Sequence, residues 1–330
     1  MKQYFNNEGL IFIMKGMRNE IVVFGGTNVD LAGVSYSPLV KGDSNIGKVS
    51  FSEGGVGHNI ALNLSRMGEK VKFVTALGSD VFAREIREHL EKEMDISSSL
   101  FLDGRSDVYL YVSDSNGEMN IAVNDMENIK KIDSSFIENR ENVIKNSSAI
   151  IVEANLGAEA IERIVKLSSS FVFADAVSTL KVERFLPSLE NIDYLKLNEL
   201  ELAALSKEDI YSDASLEKAM DKIFSMGLKG SILLTLGQKG ALCKSKYGVI
   251  YSPARKMDIV NSTGAGDSFL SGFAFGMINY NDEKEALKCA LSASEITIMS
   301  EETVSSKMSR DELIRKSKEI EVYDKIPRLF

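Results

Sequence analysis

A doubly wound α/β domain, with a mostly parallel sheet, helices on both faces and a small β-sheet lid, is the fold class the chain predicts. Three observations carry it. Strand-sized apolar runs at 150–152, 171–174, 193–197 and 232–236 alternate with helical periodicity at 158–167 and 216–226, the order that produces parallel strands joined by crossover helices. Unusual polar residues gather just after the strand-sized runs, where open α/β sheets bind their ligands. Two excursions, at about 33–52 and 108–126, leave this alternation for β-ribbon sequence with turn signals. Paired with each other, they would form one small sheet over the main domain.

The elements follow in order. A first strand at 21–24 runs into Gly25-Gly26-Thr27-Asn28-Val29-Asp30, which lacks the G-x-G-x-x-G that opens a dinucleotide-binding helix. Pro38, Gly42 and Gly47 punctuate the first ribbon. Gly54-Gly55-Val56-Gly57 leads into a helix with Ile60, Ala61, Leu64 and Met67 on one face, closed by Gly68, and a strand follows at 71–77. A helix over 81–94 carries Phe82, Ile86 and Leu90 at i+4 spacing. The second ribbon turns at Asn116-Gly117, a dipeptide that favours tight hairpins. Near the end, 259–260 reads as a strand end. The next helix shows Phe269, Leu270, Phe273, Ala274 and Met277 on one face, and 309–321 reads as a solvated terminal helix.

Composition narrows the function. With 330 residues and 44% hydrophobic content, the chain can build one large core. Its 48 acidic and 39 basic residues give a net charge of −9 and no basic block, which argues against a nucleic-acid polymer as partner. Cys243 and Cys289 lie in apolar surroundings without metal-ligand spacing, as expected of buried, reduced thiols in a cytoplasmic protein. Apolar runs fall far short of the roughly 20 residues that span a bilayer, so no membrane partner is expected. Residues 1–19 lack the charge order and cleavage site of a secretory signal and read as an N-terminal extension to a 20–330 domain, with Met14 or Met17 as alternative starts.

Five strand ends carry candidate site residues. Asn28 and Asp30 follow the first strand; Gly54, Gly55 and Asn59 open a helix; Asn155 follows 150–152; Asn198 and Glu201 follow Leu197; Gly264, Ala265, Gly266 and Asp267 follow Ile259-Val260. Each alone reads more readily as a turn or a cap, and the competing reading of Glu201 is an exposed helix-face residue. Together they describe a site. In Asn261-Ser262-Thr263-Gly264-Ala265-Gly266-Asp267 the small residues admit an anion to the backbone, and the helix that follows aims its free N–H groups and positive dipole end at it. One carboxylate beside that turn suits phosphoryl transfer, which relies on positioning and charge stabilisation.

The pattern resembles the ribokinase-like, or PfkB, carbohydrate kinase family. One family signature is similar to the stretch from Gly54-Gly55-Val56-Gly57-His58-Asn59 to Gly68, and the other to Ser262 through Asp267. The N-x-x-E motif is similar to Asn198-Glu199-Leu200-Glu201, and the T-x-G-x-x-G nucleotide turn to Thr235-Leu236-Gly237-Gln238-Lys239-Gly240. Within the family the likeness extends to pseudouridine kinases, through 43–48 in the first ribbon and 116–119 with Asn124-Asp125-Met126 in the second.

The resemblance implies transfer of the ATP γ-phosphate to the 5′-hydroxyl of a C-nucleoside. Asp267 would be the general base, and the amides of Gly264, Ala265 and Gly266 the anion hole. Glu201 with Asn198 would hold Mg²⁺ through water, and Asn198, Thr235, Gly237, Gly240 and Thr263 would flank ATP. Asn28, Asp30, Gly54, Gly55 and Asn59 would bind the ribose, with Asn155 or Glu153 a weaker contact. Ser44, Asn45, Asn124 and Asp125 in the ribbons would read the extra N–H that pseudouridine exposes. Asn261 stands where many relatives carry an Asp that helps hold a monovalent cation, which weakens the electrostatic case for K⁺, although backbone carbonyls could still coordinate one. His58 and His89 show no partner in the sequence. A homodimer through the lid is the assembly implied. Two rivals stand beside this reading: a kinase for another nucleoside or free sugar, and a non-catalytic nucleotide- or sugar-binding regulator.

Overall fold

The computed structural model describes residues 20–330 apart from residue 117. The expected extension at 1–19 and the glycine of the Asn116-Gly117 turn lie outside the described residues.

The first half of the chain runs Ile21–Phe24 (β1), Asn28–Ser35 (β2), Gly47–Gly54 (β3), Val56–Arg66 (α1), Val71–Val74 (β4) and Ala76–Leu77 (β5). Val81–Glu93 (α2), Leu100–Phe101 (β6), Val108–Ser113 (β7) and Met119–Asp125 (β8) complete it. Two short helices, Ser134–Glu138 (α3) and Glu141–Lys145 (α4), lead to Ala149–Glu153 (β9), Ala158–Leu167 (α5) and Phe171–Asp175 (β10). Then come Tyr194–Asn198 (β11), Glu199–Ser206 (α6), Asp213–Ser225 (α7), Ser231–Thr235 (β12), Ala241–Lys244 (β13) and Val249–Ser252 (β14). Ala265–Tyr280 (α8), Glu283–Ile298 (α9) and Arg310–Ser317 (α10) close the chain.

The main sheet has eight strands in the order β14-β13-β12-β11-β10-β9-β1-β4. The six from β12 to β4 are parallel, and β13 and β14 add an antiparallel edge. Successive residues of a strand point to opposite faces, and both faces are apolar. Val22, Phe24, Ile150 and Val152 belong to one buried cluster; Ile21, Val23, Ala149 and Ile151 belong to the other. Helices cover both faces, as a parallel sheet requires.

A second sheet, β3-β2-β7-β8, combines the two ribbons. Its central pair is parallel, with Asp30 opposite Tyr109 and Ala32 opposite Tyr111. The ribbon begins earlier than the sequence suggests, because Asn28 and Asp30 lie inside β2. Three further differences are local. The stretch 71–77 divides between β4 and β5, which belong to different sheets. The terminal helix is confined to Arg310–Ser317. Residues 259–260 form no strand: Ile259 is 54% and Val260 57% exposed, and backbone N–H groups of Val260 and Asn261 instead donate to the Ile298 carbonyl.

Candidate active site

The site is assembled along the carboxyl edge of the parallel strands. β1 delivers Gly25 to Thr27, β9 ends on Glu153, β10 on Asp175, β11 on Lys196 and Asn198, and β12 on Thr235. Helices α1 and α8 start above this edge and pack against each other.

Asp267 lies in the first turn of α8 and is buried. Its Oδ2 accepts a 2.7 Å hydrogen bond from Asn59 Nδ2 on α1. Burial raises its carboxyl to about 7, the nearby Asp175 charge adds to the rise, and Lys196 and the Asn59 bond oppose it. Lys196 is itself buried and pairs with Asp175 at 3.1 Å. Burial alone would discharge the Lys196 ammonium, but Asp175, Glu201 and Asp267 together raise its affinity for the proton. A Cβ placed on Gly266 would stand 2.9 Å from Lys196 Nζ, so the ammonium lies directly beneath the turn.

The turn takes its shape from Gly264, whose φ of 79° is left-handed and whose added Cβ would run into the Thr303 carbonyl. Asn261 clips it from outside: its Nδ2 donates to Glu301 O at 3.0 Å and its Oδ1 accepts from Thr263 N at 2.9 Å. Ala265 departs from the expectation. Its N–H turns back to Ser262 O at 3.3 Å, so the free donors at this helix start belong to Gly266 and Asp267, as orphan N–H groups of a first turn.

At the other end, Asn28 Nδ2 donates to Asp30 Oδ1 at 2.6 Å, and burial raises the Asp30 carboxyl against that bond. The Asp30 carboxylate packs onto Gly54 so closely that a Cβ there would overlap it. Glu153 is fully buried, which raises its carboxyl. Both of its oxygens accept backbone N–H groups, from Gly26 at 2.5 Å and Asn155 at 2.6 Å. The Asn155 side-chain oxygen in turn accepts from Lys181.

Asn198 and Glu201 form a reciprocal capping box at α6, with Glu201 N to Asn198 Oδ1 at 2.8 Å and Asn198 N to Glu201 Oε2 at 2.9 Å. Glu201 is only 3% exposed, which removes the reading of it as a helix-face residue. Asn198 is the strand partner of Thr235. Beyond Thr235, Gly237 and Gly240 take positive φ and Leu236 N donates to Gly240 O at 2.8 Å, so the nucleotide turn lies beside the box.

The ribbon residues separate. Asn124 is opposite Tyr109 and shares the Asp30 face, whereas Asp125 is on the other pleat, 3.6 Å from Arg105. Ser44 and Asn45 are exposed, and the Asn45 side chain bonds only within its own loop, to Val40 and Asp43. Sequence reasoning missed Lys196, Asp175 and the pair Tyr109 and Tyr111. The tyrosine rings lie 5.8 Å apart on the Asp30 face, and the Asp30 charge joins burial in raising the Tyr111 phenol. The period-two spacing of 109 and 111 was the available signal.

Among the described residues, no group of three or more His, Cys, Asp or Glu is arranged to hold a metal ion, and no helix is long and apolar enough to cross a membrane.

Known proteins resemble the chain in sequence and in fold. Pseudouridine kinase of Escherichia coli K12 is 29% identical over 290 residues, 87% of this chain and 92% of that one. Guanosine-inosine kinase of Exiguobacterium acetylicum is 24% identical, covering 86% and 96%. A crystal structure of a putative sugar kinase from Clostridium perfringens superposes with a TM-score of 0.80 at 28% identity, over 94% of this chain and 99% of that one. Arabidopsis thaliana ribokinase complexed with ribose and ATP has a TM-score of 0.82 at 20% identity, over 92% and 99%, a likeness of fold. Residues 18–310 match the pfkB family of carbohydrate kinases, and the chain belongs to that family: it is a phosphotransferase acting on a sugar or nucleoside hydroxyl.

Proposed function

We propose that the protein transfers the γ-phosphoryl group of ATP to the 5′-hydroxyl of pseudouridine. The observation that carries the catalytic part is the buried 2.7 Å bond from Asn59 to Asp267 at the start of α8. It fixes one carboxylate oxygen and leaves the other for the acceptor hydroxyl, in a site that brings the carboxyl to about 7, where a general base is most effective. Gly266 and Asp267 N–H groups and the α8 dipole receive the transferring phosphoryl, and Lys196 adds a fixed positive charge beneath it. Asp175 holds that ammonium in place.

Asn28 and Asp30 bind ribose hydroxyls over Gly54, and Glu153, both oxygens committed to backbone, orients Gly26 and Asn155. The base lies against Tyr109 and Tyr111 with Asn124 beside them. Preference for pseudouridine is supported by the Escherichia coli relative and by the 43–48 and 124–126 ribbon segments. Bound together with ATP, Mg²⁺ would supply charge neutralisation at the phosphates. With one Glu201 oxygen in the capping box, the other Glu201 oxygen and the Asn198 side-chain oxygen would hold the ion through water. Asn261 Nδ2 donates to Glu301 O and its Oδ1 accepts from Thr263 N, so the side chain offers K⁺ no negative charge and only one remaining lone pair.

Two copies pair through the small sheet. Phe51, Leu110 and Val123 form one row on the face opposite Asp30, and Val49 and Ile121 the next, with Val49 77% and Ile121 61% exposed.

The test is a panel of pseudouridine, uridine, inosine, ribose and fructose with ATP and Mg²⁺, read by product mass, for wild type and Asp267→Asn. Pseudouridine 5′-phosphate is the expected product, and the variant should lose on the order of 10²–10⁴-fold in kcat. Phosphorylation of a different acceptor would reassign the substrate, and none at all would favour a binding regulator.

A further inference from the structure

Residues 321–330 lie beyond those matched to the family, and they run back to the nucleotide turn at 235–240. The segment is anchored at both ends. Tyr323 pairs with Tyr251 on the β14 edge through two backbone bonds, Tyr251 N to Tyr323 O at 2.9 Å and Tyr323 N to Tyr251 O at 2.8 Å. Ile326 and Leu329 pack against the apolar cluster that contains Leu236 and Tyr251. Asp213, the first residue of α7, accepts two N–H groups on its Oδ1, from Leu329 at 2.9 Å and from Phe330 at 3.2 Å. Both anchors lead to Lys239. At one, the Tyr251 hydroxyl donates to Lys239 O at 2.6 Å. At the other, the Phe330 ring faces Lys239 Nζ, 3.5 Å from ring centre to ammonium, and Glu199 Oε1 meets the same ammonium at 3.3 Å. Glu199 opens α6, directly after the Asn198 cap beside the turn.

Packing holds only half of the turn. Gly240 is pinned, since a Cβ there would run into Ser252 O. Gly237 is not: a Cβ there would meet nothing within 4 Å, and both Gly237 and Gln238 are exposed. Glycine brings no rigidity of its own. Lys239 is the half-buried side chain of this open half, so it is the one whose fixed position can fix the turn.

We propose that residues 323–330 form a strap for the nucleotide subsite, and that Phe330 is a positioning residue for ATP, holding Lys239 and through it the open half of the turn. The ring face attracts an ammonium through its quadrupole, which a leucine of similar bulk cannot do. With the ammonium held between Phe330 and Glu199, the turn keeps one shape before ATP arrives, and binding does not have to order it. The anchors of the strap are Tyr251, Asp213 and Lys239, and none of them is Asp267, Asn28 or Asp30. The effect therefore belongs to the KM for ATP, and not to kcat or to acceptor KM.

This inference rests on the reading of 235–240 as the nucleotide turn, and the experiment separates the two. The KM for Mg·ATP, acceptor KM and kcat are measured on the full chain for wild type, Phe330→Leu, Phe330→Tyr, Lys239→Met, Lys239→Met with Phe330→Leu, and Gly237→Asp. Phe330→Leu should raise the ATP KM roughly two- to five-fold, the range of an exposed cation–π contact, with acceptor KM and kcat unchanged. Phe330→Tyr keeps the ring face and should return the wild-type value. In the Lys239→Met background, Phe330→Leu should add nothing. Gly237→Asp tests the turn by itself. The position has open space and a φ of 55° that Asp tolerates, and a carboxylate beside the phosphates should raise the ATP KM by roughly tenfold or more. An unchanged ATP KM in Phe330→Leu, a parallel rise in acceptor KM, a Phe330→Tyr enzyme no better than Phe330→Leu, or a further rise on the Lys239→Met background overturns the proposal. If Gly237→Asp leaves the ATP KM unchanged, the nucleotide reading of the turn fails and the strap with it; if it raises the ATP KM and Phe330→Leu does not, only the strap fails. If wild type phosphorylates no acceptor of the panel, the ATP dissociation constant from calorimetry replaces KM, with the same expectations.

Discussion

As the proposed base, Asp267 would work in surroundings that resist negative charge. Burial and the Asp175 charge lift its carboxyl to about 7, so at pH 6 most of it is protonated and cannot accept the hydroxyl proton. kcat at saturating substrates should therefore fall as pH drops below about 7 and level off above it. The stability consequence has the opposite sense. A carboxyl raised on folding favours the folded state at low pH, and that contribution is lost as pH climbs through about 7. Asp267→Asn should thus raise the melting temperature at pH 8 while abolishing most turnover. A less stable Asn variant at that pH would argue against a strained carboxylate. Lys196 offers the complementary case. Lys196→Met leaves Asp175 buried and unpaired, which should cost about 3–5 kcal/mol, and should lower kcat by on the order of 10². Adding Asp175→Asn should restore the denaturation midpoint and leave kcat low; recovery of both would reduce the lysine to a structural role.

At the scale of elements, residues proposed to serve the ligand also serve the helix. The Asn198 and Glu201 side chains close the start of α6, so Asn198→Ala should destabilise the protein by about 1 kcal/mol. Asn198→Ser keeps a cap but shortens the reach; stability should return in thermal melts while the KM for Mg·ATP stays raised. The sequence already showed these motifs because spacing along one helix is local: Asn198 and Glu201, or Gly264 and Asp267, sit within one turn of each other. Strand-sized runs and polar strand ends likewise gave the parallel sheet. What the sequence hid depends on neighbours distant in the chain. Lys196 reads as a charge inside an apolar strand until β10 places Asp175 beside it. His58 and His89 read as partnerless until β3 brings Glu53 between them. Asp125 looked equivalent to Asn124, but the pleat sends neighbouring residues to opposite faces. The run at 259–260 has strand composition, yet it lies outside the sheet and its bonds go to the end of α9.

For the whole molecule, the small sheet presents polar and aromatic residues on the Asp30 face and apolar ones on the other. Pairing of two copies through the apolar face predicts that Ile121→Lys, with or without Val49→Lys, yields a monomer by light scattering, with an acceptor KM raised more than kcat is lowered. Wild type that is already monomeric at micromolar concentration would remove the dimer. The Asn59–Asp267 bond has a different kind of consequence. It joins positions 208 residues apart, and closing so long a loop comes late, after local helices and hairpins have formed. During synthesis, the proposed acceptor glycines are made early and the proposed base near the end, so on this reading an incomplete chain would hold half of the site. With Asp267 as the base, catalytic competence would report that folding has finished.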